Sequence, residues 1–151
     1  IMVGTLKTTN QIAIGALLRP VIHRPDVLTM VSTDFCHWGA QYKYQPWDTS
    51  MPVYEFIAKL DRHGMELIRL QEPGAFSAYL LETDTTICGK HALSVWLRAV
   101  WSPPSGNRDH NNDDELLIDF VKYAQSSQCH SRADSSVSYA AAVATLSDRA
   151  D

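Results

Sequence analysis

A short, nearly all-apolar run, Val27–Ser32, passes directly into the polar string Thr33–Gly39, and this junction constrains the fold more than any other feature. A run of this length with β-branched residues is typical of a parallel strand that is covered on both faces. The polar string then lies at the carboxyl end of the strand, the edge at which open α/β sheets bind ligands. The junction therefore predicts a mixed sheet layered with helices and a site above its edge.

The other apolar patterns predict four helices and two more strands. The helices are expected from about residue 8 to Leu18, through 53–68, through 73–81, and from about His91 to Trp101. The first helix should end before Pro20, because proline lacks the amide hydrogen that a helix interior needs. Two later runs, 116–124 and 136–146, indicate strands.

The domain organisation is simple. Residues 102–114 are rich in Pro, Gly, Asn and Asp, which predicts a solvated and mobile loop, and residues 147–151 resemble a frayed tail. The first residues, Ile1-Met2-Val3-Gly4, have the composition of the end of a buried strand. We therefore expect residues 1–146 to be the C-terminal part of a single domain.

Composition excludes several classes of protein. The chain has 151 residues, of which 45% are hydrophobic, and a net charge of -4. That length supports one domain with a real core. The 13 basic residues are scattered, which gives no reason to expect nucleic acid as a partner. No apolar stretch is long enough to predict insertion into a membrane.

The three cysteines lie far apart, at Cys36, Cys88 and Cys129. Their odd number and the absence of a Cys-x-x-Cys pair argue against a disulfide framework and against a closed zinc ribbon. The simpler interpretation is a reducing compartment.

Asp34 and His37 are the first candidates for chemistry. A carboxylate three residues from an imidazole can fix its tautomer and raise its basicity, which suits a proton shuttle or an oriented ligand. The alternative is that Asp34 caps the loop while His37 packs against Trp38. Spacing alone leaves both interpretations open.

Cys88 comes just before the helix that is predicted to begin near His91. A thiol at a helix N-terminus is near the positive end of the helix dipole, which suits a nucleophile or a metal ligand. Its alternative role is that of a small buried hydrophobic residue. His91, at the start of that helix, is a candidate for the lining of the same pocket, and its alternative role is that of a helix-start residue hydrogen-bonded to backbone.

The polar run before Cys129 has two interpretations. Its side chains either line a polar pocket or hydrogen-bond to backbone groups in a tight turn. Gln125, Ser126 and Cys129 are the candidates for the wall of such a pocket, which we favour. Cys36 should point away from His37 on an extended segment and therefore pack in the core.

Several of these strings occur together in one known family. They are Ser32-Thr33-Asp34-Phe35-Cys36-His37-Trp38-Gly39, Leu60-Asp61-Arg62-His63-Gly64-Met65, Thr86-Ile87-Cys88-Gly89-Lys90-His91 and Tyr123-Ala124-Gln125-Ser126-Ser127-Gln128-Cys129. In their order and content they resemble the Memo family, named for mediating receptor-driven cell motility. The similarity runs from Ile1 to Ala144.

The resemblance implies a fold and a site. Memo proteins are similar in fold to class III extradiol ring-cleaving dioxygenases, which are mixed α/β domains with a deep metal pocket. It implies that Cys88 is a ligand of copper or iron, where those enzymes have a carboxylate. It also implies that His37 and Asp34 form an acid–base pair beside the metal, and that two further histidine ligands lie outside this chain.

The resemblance also implies a function. The first hypothesis is a cytoplasmic, and also nuclear, metal-binding redox and signalling protein. Such a protein would act in receptor tyrosine kinase signalling, cell motility and the cytoskeleton, with phosphotyrosine peptides as partners. The alternatives are an active non-haem iron dioxygenase and a peptide-binding adaptor in which the metal is incidental. Cys88 places ring cleavage second, because a facial triad for oxygen activation normally keeps a carboxylate.

Overall fold

The computed structural model describes residues 1–101 and 116–146, and these form four α-helices and three strands. The helices are α1 (Thr8–Ile22), α2 (Val53–Arg69), α3 (Pro73–Thr83) and α4 (Lys90–Val100). The strands are β1 (His37–Trp38), β2 (Leu116–Gln125) and β3 (Ser136–Leu146). A mixed α/β architecture, as the sequence predicts, is therefore present.

The three strands form one antiparallel sheet in the order β1-β3-β2. The whole of β2 pairs with β3, from Leu116 opposite Leu146 to Gln125 opposite Ser138, with one irregularity at Val121. On its other side β3 pairs with β1, and Ser138 N donates to Cys36 O at 2.9 Å. β3 thus holds the segment that carries the polar string.

The core consists of two apolar clusters that share the segment before β1. The larger cluster is built by Phe35, Ile68, Phe76, Tyr79, Ile87, Leu93, Leu97 and Ile118. The smaller cluster is built by Cys36, Trp38, Tyr44, Val53, Ile57 and Cys129. Phe35 and Cys36 enter different clusters because successive side chains of an extended chain point to opposite sides. The prediction that Cys36 packs in the core is confirmed.

The helix α2 shows why the apolar spacing predicted it well. Its buried residues, Val53, Ile57, Asp61, Gly64 and Ile68, recur every three or four positions and so lie on one face. Gly64 does not break this helix. Its missing side chain admits the ring of Tyr79, whose atoms would lie 3.0 Å from an added Cβ.

The prediction that the first helix ends before Pro20 is wrong. α1 runs through Pro20 to Ile22, and His23 N still donates to Arg19 O at 3.1 Å. A proline removes one hydrogen bond of the helix ladder, and two further residues keep their helical conformation beyond it.

The prediction of a buried parallel strand at 27–32 is also wrong for the part of the chain that the structure describes. The segment has no strand assignment, and Leu28 and Met30 are each 86% exposed. A strand needs a neighbouring backbone to pair with, and on its side away from β2 the described part of β3 pairs only with the residues around β1. Residues 102–114 and 147–151, for which a loop and a tail were predicted, lie outside the described residues.

Candidate metal site

The candidate site lies where two loops meet. One loop leads from Ser32 into β1 and carries Asp34, with His37 where the loop becomes β1, and the other connects α3 to α4 and carries Cys88. One ligand atom of each of these three side chains lies within 4.8 Å of the other two. Folding therefore brings together the three residues for which the sequence predicted metal or acid–base roles.

The imidazole of His37 is close to Asp34 but not bonded to it. Nε2 of His37 lies 3.7 Å from Oδ2 of Asp34, which is beyond hydrogen-bond distance. Nε2 is buried and has no hydrogen-bond partner within the described residues. The rings of His37 and Tyr42 pack in a T-shaped arrangement, with their centroids 5.1 Å apart. A buried ring nitrogen without a partner suits a ligand that would approach between His37 and Asp34.

The sulfur of Cys88 is the accessible thiol of the described residues, since Cys36 and Cys129 are buried. The backbone amide of Asp34 donates to Cys88 Sγ at 3.2 Å. Gly89, the next residue, is the N-cap of α4, so the thiol lies just before the helix N-terminus as predicted. An exposed sulfur with a backbone donor beside it matches the surroundings of a sulfur ligand.

The two loops approach closely because of one glycine. Gly89 N donates to Thr33 Oγ1 at 2.8 Å. A Cβ added at Gly89 would lie 2.4 Å from Thr33 Cβ, a distance that real side chains do not reach. The glycine therefore lets the thiol-bearing loop lie directly against the loop that carries Asp34.

The other predicted pocket residues are not among the three side chains that converge in the described part of the chain. His91 is in the first turn of α4, where its Nδ1 accepts a hydrogen bond from Gln11 Nε2 at 3.0 Å. Burial, and then the charge of Lys90, lower the pKa of His91. The ring thus joins α1 to α4. Cys129 is fully buried in the smaller core cluster.

Gln125 and Ser126 lie at the end of β2 and mainly hold local structure. Gln125 Nε2 donates to Tyr54 O at 2.8 Å, and Ser126 Oγ accepts from Val137 N at 3.0 Å. Gln125 also lines an open cleft of about 750 Å³ between α2 and β2. Within the described residues, Asp34, His37 and Cys88 do not line this cleft. The pocket role of these residues stays a prediction.

A buried carboxylate beside the site was not singled out from the sequence. Asp61 is completely buried, and it accepts hydrogen bonds from Cys36 N at 3.1 Å and from Tyr123 OH at 2.8 Å. Burial raises its pKa, while the bonds from Ser138 and Tyr123 oppose the rise. The sequence did contain a signal for this burial, because Asp61 lies between Ile57 and Gly64 on the apolar face of α2.

Comparison with known proteins identifies the family. The model of the family described as Memo-like protein matches residues 1–143. The chain is 39% identical to Protein MEMO1 of Mus musculus over 147 residues, which are 97% of this chain and 48% of that protein. It is 38% identical to Protein MEMO1 of Homo sapiens over 147 residues, which again are 97% of this chain and 48% of that protein. It is 36% identical to Protein memo-1 homolog of Caenorhabditis elegans over 145 residues, 95% of this chain and 40% of that protein.

The chain is a mixed α/β protein whose match to the family model extends over almost all of its length. It belongs to the Memo family, as the sequence motifs indicated. It spans about half the length of the curated relatives it matches. None of the described helices combines the length and the apolar character needed to cross a membrane.

Proposed function

We propose that this protein binds copper or iron through Cys88, with His37 and Asp34 beside the metal. The single observation that carries the proposal is the convergence of their three ligand atoms within 4.8 Å. The unpartnered, buried Nε2 of His37 supports it, because a buried polar atom without a partner calls for one.

The donor set favours soft or borderline metals. Thiolate and imidazole select copper, iron and zinc, whereas magnesium and calcium prefer oxygen ligands. Cys88 is exposed and the side chain of Asp34 is 41% exposed, so the cluster is open on one side to additional ligands. The family resemblance expects two histidine ligands from outside this chain, and it assigns His37 and Asp34 to proton transfer.

The thiolate and imidazole donors support a redox role, and the family resemblance is the support for a cytoplasmic signalling protein. A bound copper or iron ion would supply one-electron chemistry, while His37 would hold or move a proton at Nε2. Asp34, 3.7 Å away, would orient the imidazole after a small side-chain rotation. Membership of the Memo family supports roles in receptor kinase signalling and cell motility, with phosphotyrosine peptides as partners.

Ring cleavage by non-haem iron is the second candidate. The observation that favours it is the His37–Asp34 pair, which offers an acid–base group next to a metal position. The thiolate of Cys88 counts against it, because oxygen-activating facial triads normally use a carboxylate. Oxygen uptake with catechols at enzyme-like rates by the full-length protein would place this candidate first.

The decisive experiment is metal titration of the full-length protein and its variants. Cys88→Ser should lose most of the copper or iron affinity, because a neutral hydroxyl replaces a thiolate ligand. His37→Ala should lose about 10–100-fold, the range expected of a group that supports a ligand. The matched control is His23→Ala, an exposed histidine, which should bind metal as the wild type does. Wild-type affinity in Cys88→Ser would disprove the proposal.

A further inference from the structure

We propose that Thr86 is a positioning residue that locks the loop of His37 to the loop of Cys88. We call these contacts of Thr86 the lock. Its functional role, which is to position His37 and Cys88 for a metal, rests on the proposed metal site. The lock itself consists of contacts within the protein and can be tested without metal.

The hydroxyl of Thr86 binds both backbone groups of one residue. Oγ1 of Thr86 accepts a hydrogen bond from His37 N at 2.7 Å and donates one to His37 O at 2.9 Å. A hydroxyl has one donor and two acceptor sites, so both bonds can exist together. The Thr86 hydroxyl thus satisfies both backbone groups of His37, as the backbone of a neighbouring strand would do.

The hydrogen bonds of Thr86 lie next to the imidazole of His37 and the thiol of Cys88 in the chain. Thr86 lies two residues before Cys88, so the loop with the thiol directly holds the residue with the imidazole. A second set of bonds joins the same two loops: Gly89 N donates to Thr33 Oγ1 at 2.8 Å, and Asp34 N donates to Cys88 Sγ at 3.2 Å. The two loops are therefore joined at two places, by Thr86 at His37 and by the bonds between Thr33–Asp34 and Cys88–Gly89.

A purely structural role for Thr86 makes a different prediction. If the hydroxyl only satisfies backbone groups at the start of β1, its loss should lower the stability of the whole protein uniformly. If it positions the cluster, its loss should loosen His37 and Cys88 while the core stays closed. The cysteines distinguish the two cases, because Cys88 is exposed whereas Cys36 and Cys129 are completely buried.

The experiment compares Thr86→Val with Thr86→Ser in the metal-free full-length protein. Valine keeps the shape but not the hydroxyl, and serine keeps the hydroxyl. Thr86→Val should speed hydrogen exchange of the His37 amide about tenfold or more, consistent with the loss of one hydrogen bond. It should also change the rate at which iodoacetamide labels Cys88, with Cys36 and Cys129 still protected. Thr86→Ser should behave as the wild type.

Three results would overturn the proposal. The first is a His37 amide that exchanges in Thr86→Val at the wild-type rate, and the second is an equal effect of the valine and serine substitutions. The third is iodoacetamide labelling of Cys36 and Cys129 that increases together with the labelling of Cys88. Should Thr86→Val fail to fold, Thr33→Val offers a second test. Thr33→Val should change the labelling rate of Cys88 and leave the His37 amide protected from exchange, because Thr86 still accepts a hydrogen bond from this amide. Rapid exchange of the His37 amide in this variant would count against the lock.

Copper titration then separates this inference from the proposed function. Thr86→Val should weaken copper binding and Thr86→Ser should restore it. If Cys88→Ser binds copper as tightly as the wild type, the metal proposal fails while the exchange result still decides whether the lock exists. If Cys88→Ser loses binding and Thr86→Val does not, the positioning role of Thr86 fails alone.

Discussion

At the scale of single residues, the most consequential group outside the cluster is Asp61. Its carboxylate is fully buried and receives hydrogen bonds from the Cys36 amide and the Tyr123 hydroxyl, both of which are neutral donors. No salt bridge to Asp61 is present within the described residues. Because Cys36 precedes His37, this carboxylate fixes the backbone that leads into the candidate site.

The burial of Asp61 predicts an unusual dependence of stability on pH. Its pKa is raised in the folded protein, so the folded state binds this proton more tightly than the unfolded chain. Its contribution to stability is complete below about pH 4, the ordinary value for aspartate, and is lost as the pH rises through the folded pKa. The unfolding free energy of Asp61→Asn, measured by urea denaturation, should therefore rise relative to that of the wild type as the pH increases above about 4.

The control for this prediction is Asp48→Asn. Hydrogen bonds from Ser50 lower the pKa of Asp48, which contributes stability above its unfolded pKa and loses it as the pH falls. Its variant should show a pH dependence of the opposite sign. A difference between Asp61→Asn and wild type that does not change with pH would mean that Asp61 titrates as it does in the unfolded chain.

At the scale of elements, α1 is held against α4 by a close approach at Gly15. A Cβ added there would lie 2.8 Å from Arg98 Cβ, 3.1 Å from Val95 O and 3.2 Å from Ala99 N. Two of these neighbours are backbone atoms, which cannot turn aside as a flexible side chain can. The contact between the helices therefore depends on the absence of a side chain.

Gly15→Ala should lower the unfolding free energy by about 1–3 kcal/mol, the usual cost of overpacking. Gly74→Ala is the matched control, because Gly74 is also helical and nothing lies within 4 Å of its added Cβ. That variant should be neutral or gain up to about 1 kcal/mol from the better helix propensity of alanine. Chemical denaturation of both variants measures the difference, and equal stabilities would show that α1 shifts without cost.

At the scale of the whole molecule, many large apolar side chains of the described residues are exposed. From residue 17 onward, the most exposed of these side chains are Leu17, Leu28, Met30, Leu70, Leu81, Val121 and Val143. Leu28 and Met30 lie on the segment before the candidate site, and Val121 and Val143 lie on the long strands β2 and β3. Exposed apolar area of this kind favours association with other apolar surfaces.

The 151-residue chain should therefore bind a hydrophobic dye in its native state. The double substitution Leu28→Ser and Met30→Ser should reduce the dye fluorescence and change the unfolding free energy by no more than about 0.5 kcal/mol, because both side chains are exposed. The control is Leu97→Ala in the core, which should cost about 2–5 kcal/mol. A large loss of stability in the double variant would show that the segment is packed.

The sequence by itself determined the family, the mixed α/β class and the helices α2 to α4, because these depend on motifs and on periodicities within one segment. It also identified Asp34, His37 and Cys88 as residues with ligand chemistry. The tertiary structure decided that 27–32 is exposed, that Asp61 is buried and that Thr86 joins two loops. Pairing and burial depend on which distant segments become neighbours, and the pattern within a single segment does not contain that information.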